Sequence, residues 1–219
     1  APGATLFPAT IARGATFDPA LEARVGDALG VECRALGANL FAGVVADLLR
    51  HPAAGRGFET YGEDPHLVGE LAVALVRGTQ RHVMACVKHL VGASVEDSRY
   101  RLDVHIDHDD VRAHYLPPFR RCVDAGVAAV MAAYHRLDGE RCGHNRTLLT
   151  DVLKDDWAFD GIVPPNPTPE NPTFTAASAL QFALKRSAEA AKSSAAAGEH
   201  LQTISEQLTL LNARVDALV

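Results

Sequence analysis

The chain has no apolar run approaching the roughly 18 to 20 residues that cross a bilayer, so no transmembrane helix is expected. It has no excess of positive charge either: 21 Lys and Arg stand against 27 Asp and Glu, a formal net of -6. A field of that sign repels phosphate backbones and anionic lipid, which excludes nucleic acid and membrane as expected partners. Cys-x-x-Cys pairs are also missing. Cys33, Cys86, Cys122 and Cys142 are widely spaced and sit in or beside apolar segments, so they read as reduced, packed thiols. Reduced thiols favour a reducing compartment, with the cytoplasm as the expectation. No Gly-rich phosphate loop or nucleophile elbow is present, and no cofactor is expected. The start, Ala1-Pro2-Gly3-Ala4, lacks an initiator methionine and a basic leader, from which we expect a chain that was processed or cut.

What is present suits a globular protein. The 219 residues are 47% hydrophobic and 22% charged, enough to bury a core. Strand and helix patterns alternate. Asp18-Pro19 places an N-cap and a first-turn proline before a helical pattern through Leu21, Val25, Leu29 and Leu36, which Gly37 closes. Asn39 to Val45 reads as a buried strand. Asp64-Pro65 repeats the cap-and-proline signal ahead of Leu67, Val68, Leu71, Leu75 and Val76, and a strand ending at Lys88 follows. A helical region at 110–124, interrupted by Pro117-Pro118, precedes a buried strand from Val127 to Tyr134. Thr147 to Trp157 is the next helix, and Gly161-Ile162-Val163 opens one more strand. Repeated βα units with apolar strands predict a parallel sheet, most economically part of a (β/α)₈ barrel. A full barrel takes about 250 residues, so a partial barrel over 1–163 is expected.

From Pro164 the composition changes. Pro164-Pro165-Asn166-Pro167-Thr168-Pro169-Glu170-Asn171-Pro172 cannot be a central strand, because proline supplies no ladder donor, so 164–175 is predicted to be a linker. The following segment, 176–219, is rich in alanine. Leu201, Ile204, Leu208, Leu211, Val215 and Leu218 recur at spacings of three and four, a short heptad seam. Self-association through that seam and a single amphipathic helix laid on an exposed surface are both open readings.

One constellation points to chemistry. Lys88 and His89 end a short apolar run, downstream of the Gly-rich Gly55-Arg56-Gly57 segment. A strand end that delivers a cation and an imidazole suits an α/β enzyme gripping polar substrate groups from its strand ends. His105-Ile106-Asp107-His108-Asp109-Asp110 contains potential metal ligands, but strand-like alternation followed by an Asp-rich helix start explains it, and no metal site is expected.

Together these segments resemble the N-terminal barrel domain of glycoside hydrolase family 3, most of all its β-glucosidase branch. The likeness runs from Thr5 to Val163. It is carried by Phe7-Pro8, Ala15-Thr16-Phe17-Asp18-Pro19, the block Gly55-Arg56-Gly57-Phe58-Glu59-Thr60-Tyr61-Gly62-Glu63-Asp64-Pro65, Val87-Lys88-His89, Asp97-Ser98-Arg99-Tyr100, Tyr115-Leu116-Pro117-Pro118-Phe119, Met131-Ala132-Ala133-Tyr134 and the stretch from Leu149 to Val163. In this order and spacing the set is highly specific.

The resemblance implies hydrolysis of O-glycosidic bonds with retention, on a β-glucoside or related saccharide. It implies that Arg56, Lys88 and His89 donate hydrogen bonds to the sugar hydroxyls. Tyr134 matches a tyrosine near the nucleophile, and a core tyrosine is its alternative role. Retention needs two carboxyl groups. Where the family has a nucleophilic Asp, this chain has Asn166, whose amide has no charge to attack with, and no segment matches the domain that usually supplies the acid/base. His135 stands for a usual Asn, the segment 51–56 lacks an aromatic and a cation usual there, and the first barrel strand is expected to lie before Ala1. The function expected is therefore a truncated, inactive β-glucosidase-like domain. The alternatives are a non-catalytic sugar-binding or coiled-coil assembly module, and a truncated or frame-shifted gene product.

Overall fold

The computed structural model describes residues 3–164. The chain divides into two compact units, Ala1–Pro172 and Thr173–Val219. The expected linker and heptad seam, 165–219, lie outside the described residues.

Helix α1 (Thr10–Gly14) leads to α2 (Pro19–Ala35), where Asp18 accepts from the Leu21 N–H at 2.9 Å and Pro19 takes the first turn. Gly37, at φ +79°, turns the chain after the helix, a conformation glycine adopts without a Cβ penalty. Strand β1 (Leu40–Val45) follows, then a 3₁₀ turn at Gly57–Glu59, then α3 (Pro65–Thr79), capped by Asp64 onto the Leu67 N–H at 2.7 Å. Strand β2 (Met84–Leu90) is longer than the sequence suggests. It passes Lys88 because Leu90 is fully buried and pairs with Ala132.

One short strand and a helical run come next. β3 (Asp103–Val104) precedes α4 (His108–Asp110), whose cap is Asp107, and a π-helical turn at Val111–Tyr115. The expected interruption at Pro117-Pro118 falls at Leu116, between the π-helical turn and α5 (Pro117–Asp124): Leu116 keeps helical dihedrals, and the missing proline N–H groups fall in a first turn that does not need them. β4 (Ala129–Ala132) is buried throughout. β5 (Arg136–Leu137) and β6 (Glu140–Arg141) form a hairpin closed by Asp138 and Gly139, both at positive φ, and Thr147–Asp156 is a π-helical segment.

The main sheet is three-stranded and parallel, in the order β1-β2-β4. Ile162 bridges in parallel to Ala129, so the next strand begins beside β4. The fold is mixed α/β with successive core strands as neighbours, as βα repetition predicts. A second sheet, β3-β5-β6, joins a parallel and an antiparallel pair. The sequence reading lacked it, although Asp138-Gly139 is the dipeptide a two-residue hairpin requires. The core packs Val44, Val68, Leu71, Leu75, Val87 and Phe119 between the sheet and the helices. α2 and α3 meet through glycine: a Cβ on Gly78 would lie 2.2 Å from the Ala23 carbonyl oxygen, and one on Gly26 would lie 2.6 Å from that of Leu75.

Candidate functional site

The site forms where β1 and β2 end. On β2, Lys88 is opposite Met131 of β4 and Leu90 is opposite Ala132, which leaves His89 as an extra residue. Such a bulge breaks the alternation of side chains and frees a backbone N–H from the ladder. The Lys88–His89 and Leu90–Val91 peptide bonds are cis. Asp47, just past β1, takes up what the bulge releases: its Oδ2 accepts from the His89 backbone N–H at 3.1 Å and lies 2.8 Å from His89 Nδ1. Both side chains are buried, 4% exposed for Asp47 and 5% for His89.

The other face of the ring meets Arg56. His89 Nε2 is 2.8 Å from Arg56 Nη1, across 33 residues of sequence. A guanidinium only donates, so Nε2 is the acceptor and Nδ1 carries the hydrogen given to Asp47. Arg56 in turn makes a bidentate pair with Glu59, Nε to Oε1 at 2.8 Å and Nη2 to Oε2 at 2.6 Å. Asp47, His89, Arg56 and Glu59 thus form one hydrogen-bonded line from the sheet to the 3₁₀ turn. The Arg56 hydrogen bonds hold the Glu59 carboxyl below its ordinary value, and Glu59 raises Arg56.

Lys88 stands beside this line. Burial, and then the charge of Arg56, push its ammonium below the usual lysine value, with Glu59 and Asp47 acting the other way. Its carbonyl accepts from the Ala46 N–H at 2.8 Å, while its ammonium makes no hydrogen bond or ion pair among the described residues. A cavity of about 10 Å³ lies under the cluster, walled by Asp47, Arg56, Thr60, His89, Ser94 and Glu96. That is room for about one water molecule or hydroxyl group. A larger hollow of about 380 Å³ lies between the N-terminal segment and α2, lined by Phe7, Pro8, Leu21 and Val25 among others. Its lining includes Arg13 and Arg24 and, among the described residues, no carboxylate.

Tyr134 belongs to a neighbouring aromatic group. Its ring meets Tyr100 edge-on, with centroids 4.9 Å apart, and the Arg99 guanidinium lies 4.8 Å from the Tyr134 ring and 5.1 Å from that of Tyr100. Arg99 is itself paired with Glu96 at 2.7 Å. Burial, then the neighbouring Tyr100, raises the Tyr134 phenol. His135 packs with Nε2 on the Val91 carbonyl at 3.0 Å, and burial lowers its imidazole. The four cysteines are free. Burial raises the Cys86 and Cys122 thiols to about 12 and that of Cys142 to about 11. No cluster of three or more metal-ligating side chains occurs among the described residues.

The sequence matches the model of the family described as Glycosyl hydrolase family 3 N terminal domain over residues 1–215. The chain belongs to glycoside hydrolase family 3. It is 42% identical over 159 residues to a β-glucosidase of Rhizobium radiobacter, an alignment covering 72% of this chain and 19% of that protein. It is 41% identical over 162 residues to the thermostable β-glucosidase B of Acetivibrio thermocellus, covering 73% and 22%. β-Glucosidase 3B from Thermotoga neapolitana, solved in complex with glucose, superposes with a TM-score of 0.73 at 36% identity, over 74% of this chain and 23% of that one. The chain thus spans about a fifth of the length of the curated relatives it matches.

Within this family 3 domain, sequence reading named Arg56, Lys88, His89 and Tyr134. The structure joins Arg56 to His89, puts Lys88 beside them and packs Tyr134 against Tyr100 and Arg99. Asn166 lies outside the described residues. Asp47 and Glu59 were missed as site residues. Glu59 was legible as an acid three residues from Arg56, whereas Asp47 becomes significant only once the bulge at His89 turns toward it.

Proposed function

We propose that this chain is the sugar-gripping part of a family 3, β-glucosidase-like barrel, one that holds a saccharide hydroxyl and does not hydrolyse by itself. The observation that supports this is the nearness of two cationic donors, Lys88 and Arg56, of which Arg56 walls a cavity sized for a hydroxyl. Cationic donors bind neutral hydroxyls more strongly than neutral donors do, and hold the sugar in a single orientation. His89 shares the cluster and sets the guanidinium. Tyr134, with Tyr100 and Arg99, supplies an aromatic wall beside it. The relatives' names supply the sugar class, a β-glucoside.

The inactive state rests on where the carboxylates are. A retaining mechanism needs one carboxylate free to attack the anomeric carbon and a second group to protonate the leaving oxygen. Asp47 is committed to His89, and Glu59 to Arg56. At the position where the resemblance expects the nucleophile stands Asn166. A cavity of about 10 Å³ is also far below the few hundred cubic ångströms that enclose a whole ligand. The expected affinity for methyl β-glucoside is therefore weak, on the order of millimolar. An NMR titration of wild type and of Arg56→Ala/Lys88→Ala tests both parts. Shifts at the site that vanish in the double variant are expected, with aryl β-glucoside turnover no greater in wild type than in the variant. Turnover lost on the double change shows that a nucleophile is present after all.

A second reading is favoured by the heptad run Leu201, Ile204, Leu208, Leu211, Val215 and Leu218, which suits self-association of the chain.

A further inference from the structure

We infer that Asp47 is a positioning residue: through His89 it sets the direction of the Arg56 guanidinium, so the grip on the substrate depends on a carboxylate that does not touch the substrate. The argument begins with the bulge. His89 is the residue of β2 left without a partner on β4, and an unpaired backbone N–H in a buried strand must find another acceptor. Asp47 Oδ2 is that acceptor, and the same oxygen also receives Nδ1–H. Backbone and ring of one residue are therefore held on a single atom.

The consequence passes along the ring. With Nδ1 as donor, Nε2 is left with a lone pair, and that lone pair faces Arg56 Nη1 at 2.8 Å. In the other tautomer, Nε2–H would point at a guanidinium N–H, two donors facing each other, and Arg56 would have to turn away. Glu59 holds the opposite side of the guanidinium, so Arg56 is clamped between an anion and an imidazole lone pair. Asp47 decides which tautomer is present. Its remaining oxygen, Oδ1, is buried without a hydrogen-bond partner, so the carboxylate is kept in place by the two His89 bonds and by its neutralising charge near Arg56 and Lys88.

The test separates position from charge. Asp47→Asn keeps an oxygen where Oδ2 sits and loses the charge, whereas Asp47→Leu keeps the volume and loses the acceptor. Long-range ¹⁵N correlation spectra of the histidine rings, with His89→Gln to assign the signal, report the tautomer directly. We expect Nδ1–H in wild type and in Asp47→Asn, and loss of that pattern in Asp47→Leu. Methyl β-glucoside affinity, whose use rests on the function proposed above, should fall about tenfold or more in Asp47→Leu and recover to within about threefold of wild type in Asp47→Asn. An Nε2–H ring in wild type overturns the inference, as does a folded Asp47→Leu protein with an unchanged ring pattern. If Asp47→Leu does not fold, the wild-type and Asp47→Asn spectra still decide, since an Asn variant without Nδ1–H overturns it equally. Absence of glucoside binding in wild type counts against the sugar reading alone, because the ring is read without ligand.

Discussion

Lys88 and Glu59 titrate at opposite ends of the pH scale, and each leaves a separable mark. Glu59 is held below its ordinary 4.5 chiefly by the Arg56 hydrogen bonds. Its native value is depressed, so the stability it adds is complete above 4.5 and is lost as pH falls through the native value. Melting wild type against Glu59→Gln between roughly pH 3 and 7 should show a gap that closes toward the acid end, and a gap independent of pH would disprove the pairing. Lys88 behaves in the reverse sense. Burial lowers it from 10.5, so the unfolded chain holds more protons in the window just under 10.5, and Lys88 there makes stability rise with pH. Sugar affinity should drop over that same window as the ammonium loses its proton, while Arg56 stays charged. Lys88→Met should abolish both trends. A loss of affinity in step with unfolding would mean that the site has simply melted. Arg56, Lys88 and His89 could be picked out of the sequence because their types and neighbours were unusual. Asp47 could not, since a carboxylate two residues beyond a strand looks solvated until the bulge exposes a donor to it.

Helix starts were the most legible elements. Asp18-Pro19 and Asp64-Pro65 each combine a capping carboxylate with a residue whose missing N–H the first turn does not need, and both caps form. Asp64→Ala should destabilise by about 1 kcal/mol, read from denaturant midpoints, and no change would show that Pro65 alone starts α3. Places where elements meet were illegible, because closeness is a property of two segments at once. Gly26 and Gly78 look like weak points inside helices, yet at both the backbone of the facing helix fills the place of a Cβ. A Cβ at Gly78 meets backbone, not a movable side chain, at 2.2 Å. Gly78→Ala should therefore cost about 1 to 3 kcal/mol, although the same change at an exposed helical glycine stabilises by up to about 1 kcal/mol. The paired prolines at 117–118 mark an element boundary, as read from the sequence. Proline breaks a helix only where an N–H is required, and here α5 begins at the first of them.

For the whole molecule, the order β1-β2-β4 leaves β1 with a single strand partner among the described residues, and the unit also exposes Leu6, Phe17 and Leu36. A surface of this kind favours association when a second element supplies the specificity. The heptad run from Leu201 to Leu218 is the candidate. Burying a leucine, isoleucine or valine side chain gains about 1.5 to 3 kcal/mol, and the seam offers few of them. Losing the free motion of a second copy costs roughly 4 to 15 kcal/mol. These two terms are of similar size, so the chain should neither be locked as an oligomer nor remain a monomer at every concentration. Light scattering across a wide range of protein concentration should show a mass that climbs with concentration. Leu208→Asp/Leu211→Asp puts two charges in the middle of the seam, where each loses hydration with no partner, and should keep the mass at that of one chain throughout. A variant that associates as wild type does would place the contact on the sheet side, through the β1 edge. A wild type that stays at 23.3 kDa under all conditions would leave the seam no role in assembly.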